Sequence, residues 1–451
     1  MSIKGRYNLW HELAVEDMAD VIGGSTPSTA VPEYFDGDVP WLTPKDLSGF
    51  NDRYVKRGTR NISILGLANS GARLVPAGSV LLTSRAPVGY LAIAANEIAT
   101  NQGFRSLVPK PGFDSEFLYY LLKLNINFLK SQATGTTFGE LSGSTLKRLR
   151  FQVPPLPVQR EIAQILGAFD DKIELNRRMN ETLEAMARAL FKCWFVDFTP
   201  VRIKAAARER GEDPNAALSR PASEGGLGLA LEIAALFPDK FVDSELGEIP
   251  DGWEVATLSD IFEINPIRRL RSGEVAPYLE MKNMPVRGHR PLDWVNRSFT
   301  SGIKFINGDT LLARITPCLE NGKTAFVDFL RDGQTGWGST EYIILRSKPP
   351  FPPIYTYLLA RNPEFRDFAI QQMTGSSGRQ RIPADSLAPY LLAKPQDILV
   401  AVFGERISTL FDAIKSNDEM IKTLTQLRDL LLPELISGTI PLVAGRSGFN
   451  L

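Results

Sequence analysis

Two stretches of heptad-spaced apolar residues, set 241 positions apart, constrain this chain more than any other feature. In the first, one seam row carries Leu166, Ile173, Asn180, Ala187 and Trp194, and the other Ile162, Phe169, Asn176, Leu183 and Leu190. In the second, the rows are Ile407, Ile414, Ile421 and Arg428, and Phe403, Leu410, Asn417, Leu424 and Leu431. An apolar repeat of about 3.5 residues keeps its stripe on one side of a helix, so each stretch predicts a long coiled-coil-type helix. Two such seams in one chain pack most simply on each other. The asparagines then acquire a purpose. A buried amide adds little stability, but it penalises slipped registers that leave it unpaired. The repeat maps Asn176 onto Asn417, and the two are expected to face each other and set the alignment of the helices.

The segments before the seams also repeat. "PWLTPKDL" (40–47) is echoed by "PYLEMKNM" (277–284), and "GSVLLTSR" (78–85) by "GDTLLARI" (308–315). "ATGTTFGELSGSTLKRL" (133–149) and "MTGSSGRQRIPADSLAP" (373–389) share placement and turn residues. Runs such as 79–82 and 342–345 read as strands. Residues 116–132 and 354–373 read as amphipathic helices. The expected fold class is mixed α/β, with two duplicated globular domains separated by two long antiparallel coiled-coil-like helices. The expected boundaries are a first domain over 1–155, a helix over 156–199, a second domain over 245–394, a helix over 395–438 and a tail over 439–451. Residues 200–244 are rich in Ala, Gly, Pro and charge at their start and read as a linker returning the chain from the far end of the first helix.

Composition removes several classes of function. Hydrophobic residues make up 43%, enough for packed cores. Lys plus Arg equals Asp plus Glu at 51 each, so any nucleic-acid contact has to come from local patches rather than bulk charge. Cys193 and Cys318 lie far apart and offer no disulfide framework. With His11 and His289 the only histidines, a zinc site is not expected. The start lacks a signal-peptide core, and no stretch approaches the roughly 20 apolar residues of a membrane span, so a cytoplasmic protein is expected.

Enzyme motifs are incomplete or missing. "PCLENGKT" (317–324) has Pro317 where a phosphate-binding loop needs glycine. No G-x-G-x-x-G opens a helix, and the Asn/Asp-Pro-Pro-aromatic motif of amino-methyltransferases is missing. Pro250-Asp251 followed by Glu280-Met281-Lys282 loosely resembles a Mg²⁺-nuclease arrangement. In the repeat, however, Glu280 falls opposite Thr43, and Lys282 opposite Lys45, so one half would lack the metal carboxylate. No serine or cysteine has a plausible base, because neither histidine lies in a repeated motif. What remains is binding. Basic residues cluster in "KRGTR" (56–60), "IRRLRSG" (267–273), "VRGHR" (286–290) and "SSGRQR" (376–381). Arg and Gln can read purine edges, while hydroxyls and backbone N–H groups hold phosphates. The candidate DNA contacts are Lys45, Arg85, Thr136 and Thr137 in the first half, and Lys282, Arg314, Ser376, Arg379, Gln380 and Arg381 in the second.

These residues also carry a family resemblance. Residues 154–198, "PPLPVQREIAQILGAFDDKIELNRRMNETLEAMARALFKCWFVDF", resemble the central region of the DNA-specificity subunit of type I restriction-modification systems. So do "FPDKFVDSELGEIPDGWEV" (237–255), "GGSTPSTAVPEYFDGDVPWLTPKDL" (23–47) and "LLLPELISG" (430–438). The second half departs at "KPQDILVAVFGERI", which keeps only Pro395-Gln396 of the first helix's Pro-Pro-Leu-Pro-x-Gln start. The resemblance implies two target-recognition domains, each reading half of a split, asymmetric site in double-stranded DNA. It implies a non-catalytic subunit that recruits two modification (methyltransferase) subunits. S-adenosylmethionine would be bound there for adenine N6 methylation. Restriction subunits, where present, would use ATP and Mg²⁺. A stand-alone nuclease or methyltransferase, and a two-armed scaffold with no DNA role, are the competing readings.

Overall fold

The computed structural model describes residues 10–135, 139–291, 293–376 and 378–440. The chain divides into two compact units, Met1–Arg177 with Asp418–Leu451, and Arg178–Asn417. The heptad stretches form single helices, Leu156–Phe195 and Asp397–Ile436. Each unit therefore owns one mixed α/β domain and a stretch of both helices.

The two domains share one topology. The strand opening each domain pairs antiparallel with the strand that precedes the long helix, His11–Ala14 with Arg150–Val153 and Glu254–Thr257 with Leu391–Lys394. In the first domain a sheet orders Ala19–Gly23, Phe104–Pro109, Val80–Thr83 and Leu91–Ala94, then Tyr54–Val55. The second orders Phe262–Ile264, Tyr342–Ser347, Thr310–Ala313 and Thr324–Phe326 in the same way. A short parallel pair also recurs, Trp41–Leu42 with Ala99–Thr100 and Val275–Leu279 with Gly336–Gly338. The central strands Val80–Thr83 and Thr310–Ala313 are buried along their whole length because both faces are covered, and Val80, Leu81 and Leu82 are fully buried, as is Leu311.

The amphipathic segment expected over 116–132 breaks into Ser115–Leu124 and Ile126–Ser131. Asn125 ends the first piece by donating its side-chain amide to the Leu121 carbonyl (2.8 Å). Its counterpart over 354–373 breaks into Pro353–Ala360 and Pro363–Gln371, where Pro363 cannot donate into a continuing helix.

The linker expectation for 200–244 is replaced by a folded segment. It contains the helices Thr199–Glu209, Pro214–Ser219 and Leu231–Ala234 and the start of a hairpin, Phe241–Ser244 with Gly247–Pro250. Composition misled because a few spaced apolar residues suffice to anchor it. Val201, Leu218 and Phe237 are buried, and Phe237 packs edge-on against Trp194 at 5.0 Å. Lys204 is also buried, and its ammonium donates to the carbonyls of Ala234 and Phe237, closing the end of a short helix.

Within each unit the helix segments run antiparallel. In the first unit Ile162 and Leu166 share a core with Leu432, Leu435 and Ile436, while Asp170 meets Arg428 (2.5 Å). In the second unit Phe195 packs on Phe403 (4.7 Å), while Asn180 meets Asn417. Arg428 stands in the apolar seam because Asp170 neutralises it there. The expected pairing of Asn176 with Asn417 is corrected: Asn417 donates to the Asn180 side chain (2.8 Å). A repeat maps equivalent positions, whereas antiparallel packing brings together positions from opposite directions, so equivalent residues need not face one another. Asn176 is nevertheless buried in the seam, with its amide nitrogen unpaired.

A polar network joins the first domain to its helices. The Tyr120 hydroxyl donates to Asp170 (2.6 Å) and accepts from Arg53 (3.0 Å), and Arg53 also holds Asp171 (2.6 Å) and Glu116 (3.4 Å). Burial opposes charge on Asp170, but Lys123, the Tyr120 hydroxyl and Arg428 outweigh it and hold the carboxyl below the usual carboxylate range. A depressed carboxyl contributes stability above its unfolded-state pKa and loses it as pH falls through the folded one. Asp170→Asn is therefore expected to cost about 3 kcal/mol at neutral pH. That difference should shrink below about pH 4. Chemical denaturation at several pH values checks this; an equal loss at every pH contradicts it.

Candidate nucleic-acid interface

The repeated Thr-Gly loops are held by the same backbone ladder in both units. In the first, Thr134 and Glu140 exchange N–H···O bonds (3.1 and 2.9 Å), and Leu141 donates to Ser84, which donates to Gly103 (2.9 and 2.7 Å). In the second, Thr374 and Arg381 exchange bonds (both 2.9 Å), and Ile382 donates to Arg314, which donates to Glu341 (2.9 and 3.0 Å). Leu141 and Ile382 are fully buried and anchor the far side of each loop. Gly135 and Gly375 follow the threonines with φ of 135° and 119°, a region closed to most side chains. Sequence similarity between the loops thus reflects an identical attachment to the sheet.

The candidate residues fall into three groups. Lys45, Ser376 and Arg379 are exposed. The Arg379 guanidinium has no hydrogen-bond or ion-pair partner among the described residues, and neither has the Lys45 ammonium. Lys45 rides on the short helix Pro44–Leu47, fixed by the Thr43–Asp46 capping box (2.7 Å). Asp46 also accepts from the Thr59 amide (2.8 Å), so "KRGTR" is stitched to the same turn.

A second group is engaged within the domain. Arg85 lies 3.8 Å from Glu140, and Lys282 2.5 Å from Glu280, which also faces Arg297 at 3.7 Å. Arg381 grips Glu341 through Nε and Nη2 (2.8–3.0 Å). Gln380 is half-buried, and its backbone pairs with Thr316. Arg314 is half-buried at the position of Ser84, and Arg85 occupies that of Ile315, so those two arginines are not equivalent. Thr136 and Thr137 lie outside the described residues.

The other basic clusters are partly structural. Arg60 pairs with Asp36 (3.1 Å) over the ring of Phe35. Arg268 and Arg346 converge on the fully buried Asp309 (2.9 and 2.6 Å). His289 and Arg290 turn onto Asp328 (3.3 and 2.7 Å), leaving Arg287 exposed in "VRGHR". Among the described residues no group of His, Cys, Asp or Glu is arranged to hold a metal ion, and no helix is long and apolar enough to cross a membrane.

Several residues that shape the site escaped the sequence reading. Glu140, Arg105 and Glu341 form the ion pairs at the loops, with Arg105 donating to Glu140 at 2.8 Å and Arg381 paired with Glu341. Arg361 is the other. Nearly buried, it donates to the carbonyls of Val286, Gly288, Gly322 and Thr324 at 2.6–2.9 Å, and to the Tyr357 hydroxyl at 3.1 Å. Tyr357 in turn donates to Glu184 on the first long helix (2.6 Å). Burial, followed by Glu184, keeps that hydroxyl protonated well beyond its ordinary range. The signal for the loop partners was the opposite charge of Glu140 and Arg381 once the two loops are aligned with a one-residue gap.

Comparison with known proteins places this architecture. The profile of the type I restriction modification DNA specificity domain matches residues 7–185. The type I restriction enzyme MjaIX specificity subunit of Methanocaldococcus jannaschii is 33% identical over 450 residues, covering 96% of this chain and 93% of the relative. The HindI specificity subunit of Haemophilus influenzae is 26% identical over 361 residues, 72% of this chain and 77% of its own. Among solved structures, the type I restriction-modification S subunit from M. genitalium superposes with a TM-score of 0.53 at 15% identity, covering 96% of this chain and 98% of that one.

Proposed function

The chain belongs to the family of type I restriction enzyme specificity subunits, and from that premise we propose that each unit reads one half of a split, asymmetric DNA site. The observation that carries this reading is the duplicated ladder. Two domains of one topology present the same loop from the end of the same central strand, and in the second domain the loop offers Ser376 and Arg379 to solvent. Duplication with different loop side chains suits a reader of two unlike half-sequences. Lys45, Arg85, Lys282 and Arg314 flank the loops as phosphate or base contacts, and Thr136 and Thr137 serve the first loop. Asn180 with Asn417, beside the buried Asn176, sets the helix register.

Its partners are double-stranded DNA and methyltransferase subunits. We assign two of the latter, with S-adenosylmethionine bound to them and adenine N6 as acceptor. Where restriction subunits join, ATP and Mg²⁺ bind on those. The chain works in the cytoplasm and contributes selection rather than chemistry.

Arg379→Ala tests the loop directly. If Arg379 makes a bidentate contact to a guanine edge, the complex with its methyltransferase subunits loses about 1–3 kcal/mol of specific binding, confined to one half-site. Binding isotherms at fixed salt, on duplexes altered base by base, provide the readout. An equal loss on every sequence would make Arg379 a phosphate contact, and unchanged binding would remove it from the interface.

A further inference from the structure

Arg381 and Glu140 occupy the same rung of the ladder, yet they carry opposite charge. Each closes its loop by exchanging backbone bonds with a threonine, Thr374 or Thr134. Each then reaches a side chain of opposite sign near the start of the equivalent strand, Arg105 inside Phe104–Pro109 and Glu341 two register positions earlier, just before Tyr342–Ser347. Glu140 takes Arg105 (2.8 Å), with Arg85 at 3.8 Å, and Arg381 takes Glu341 (2.8–3.0 Å). The Arg381 fork has a further duty, since Nη1 donates to the carbonyl of Arg379 (3.2 Å). The edge that would pair with a guanine is thus spent on Glu341, and the remaining nitrogen fixes the backbone of the exposed arginine two residues away.

We propose that Glu341 with Arg381, and Arg105 with Glu140, are positioning pairs: ion pairs of reversed polarity that set the conformation of the two reading loops without touching DNA. The proposal rests on the reading of these loops as DNA contacts. It revises the role of Arg381 from reader to support. The pairs are partly exposed, so their contribution to global stability is small, because solvent screens the attraction. Their effect falls on loop geometry, where preorganisation determines how much binding energy survives.

Charge exchange separates positioning from simple attraction to phosphate. Glu341→Arg adds positive charge near DNA, and Arg381→Glu removes it. A purely electrostatic role makes the first variant bind tighter and the second weaker. A positioning role makes both weaker, by about tenfold each, within the range of coupling between neighbouring residues. The double exchange, Glu341→Arg with Arg381→Glu, restores the pair in the polarity that the first unit already uses. It should recover binding to within about threefold of the native chain, well inside that coupling.

The measurement uses the complex with its methyltransferase subunits, on the specific duplex and on duplexes altered in either half-site, with thermal melts reporting folding. Losses confined to one half-site, unchanged melting and recovery in the double exchange support the pair. Tighter binding by Glu341→Arg, or a double exchange as weak as Arg381→Glu, overturns it. Arg379→Ala, measured in parallel, keeps the two ideas apart. If it weakens binding while the exchanges do not behave as a pair, only positioning fails. If it binds as the native chain does, the loop is not a reader, and the proposal falls with it.

Discussion

Replacing Arg361 by methionine is expected to destabilise the second unit by about 4 kcal/mol, the cost of breaking a buried charged network. Its guanidinium bonds the backbone of two segments, around 285–288 and 322–324, to the end of the helix Pro353–Ala360. Methionine fills most of the volume and donates nothing. The carbonyls of Gly322 and Thr324 then lose a buried donor, and each such loss costs about 1–3 kcal/mol. Glu184 keeps its bond from Tyr357 but loses the cation beyond it. At about 2–4 °C per kcal/mol for a unit of this size, the second unit should melt roughly 10 °C lower. Glu184→Gln, which still accepts from Tyr357, should cost far less. Calorimetry of the two variants distinguishes them, and a loss for Arg361→Met no larger than for Glu184→Gln would show that the network does not hold these loops.

How much of this was legible in the sequence depends on the range of each interaction. The long helices were, because heptad rows such as Ile162, Leu166 and Ile173 report a local period. The duplication was also visible, since "GSVLLTSR" and "GDTLLARI" build the same central strand. The partner of Asn417 was hidden, because an antiparallel crossing point is set by the whole packing and not by the repeat. The state of each arginine was hidden for the same reason. Arg379 and Arg381 are two residues apart and look alike, but Glu341 lies 40 positions from Arg381 and captures only that one. The fold of 200–244 was missed because Val201, Leu218 and Phe237 are too sparse to give a period, while their burial against Trp194 and its neighbours is decisive.

Exchange of residues 1–155 for the matching domain of a relative with a different target should rewrite one half of the recognised sequence and leave the other intact. Each unit has its own sheet, core and loop ladder, so neither needs the other's side chains to shape its loop. Each mismatched base pair costs about 1–3 kcal/mol. A wholly altered half-site should therefore lower affinity for the original target by at least about 3 kcal/mol, more than a hundredfold. Affinity for the hybrid target should match that of the native pair.

Mapping methylated adenines across the host genome tests the central claim most directly, that this chain selects DNA sequence through two independent readers. With the native gene, methylation should fall on one two-part motif. Without the gene, that motif should be unmethylated. With the exchanged chain, a new motif should appear that keeps one half and changes the other. Methylation that persists without the gene, or a motif altered in both halves by the single exchange, would contradict it.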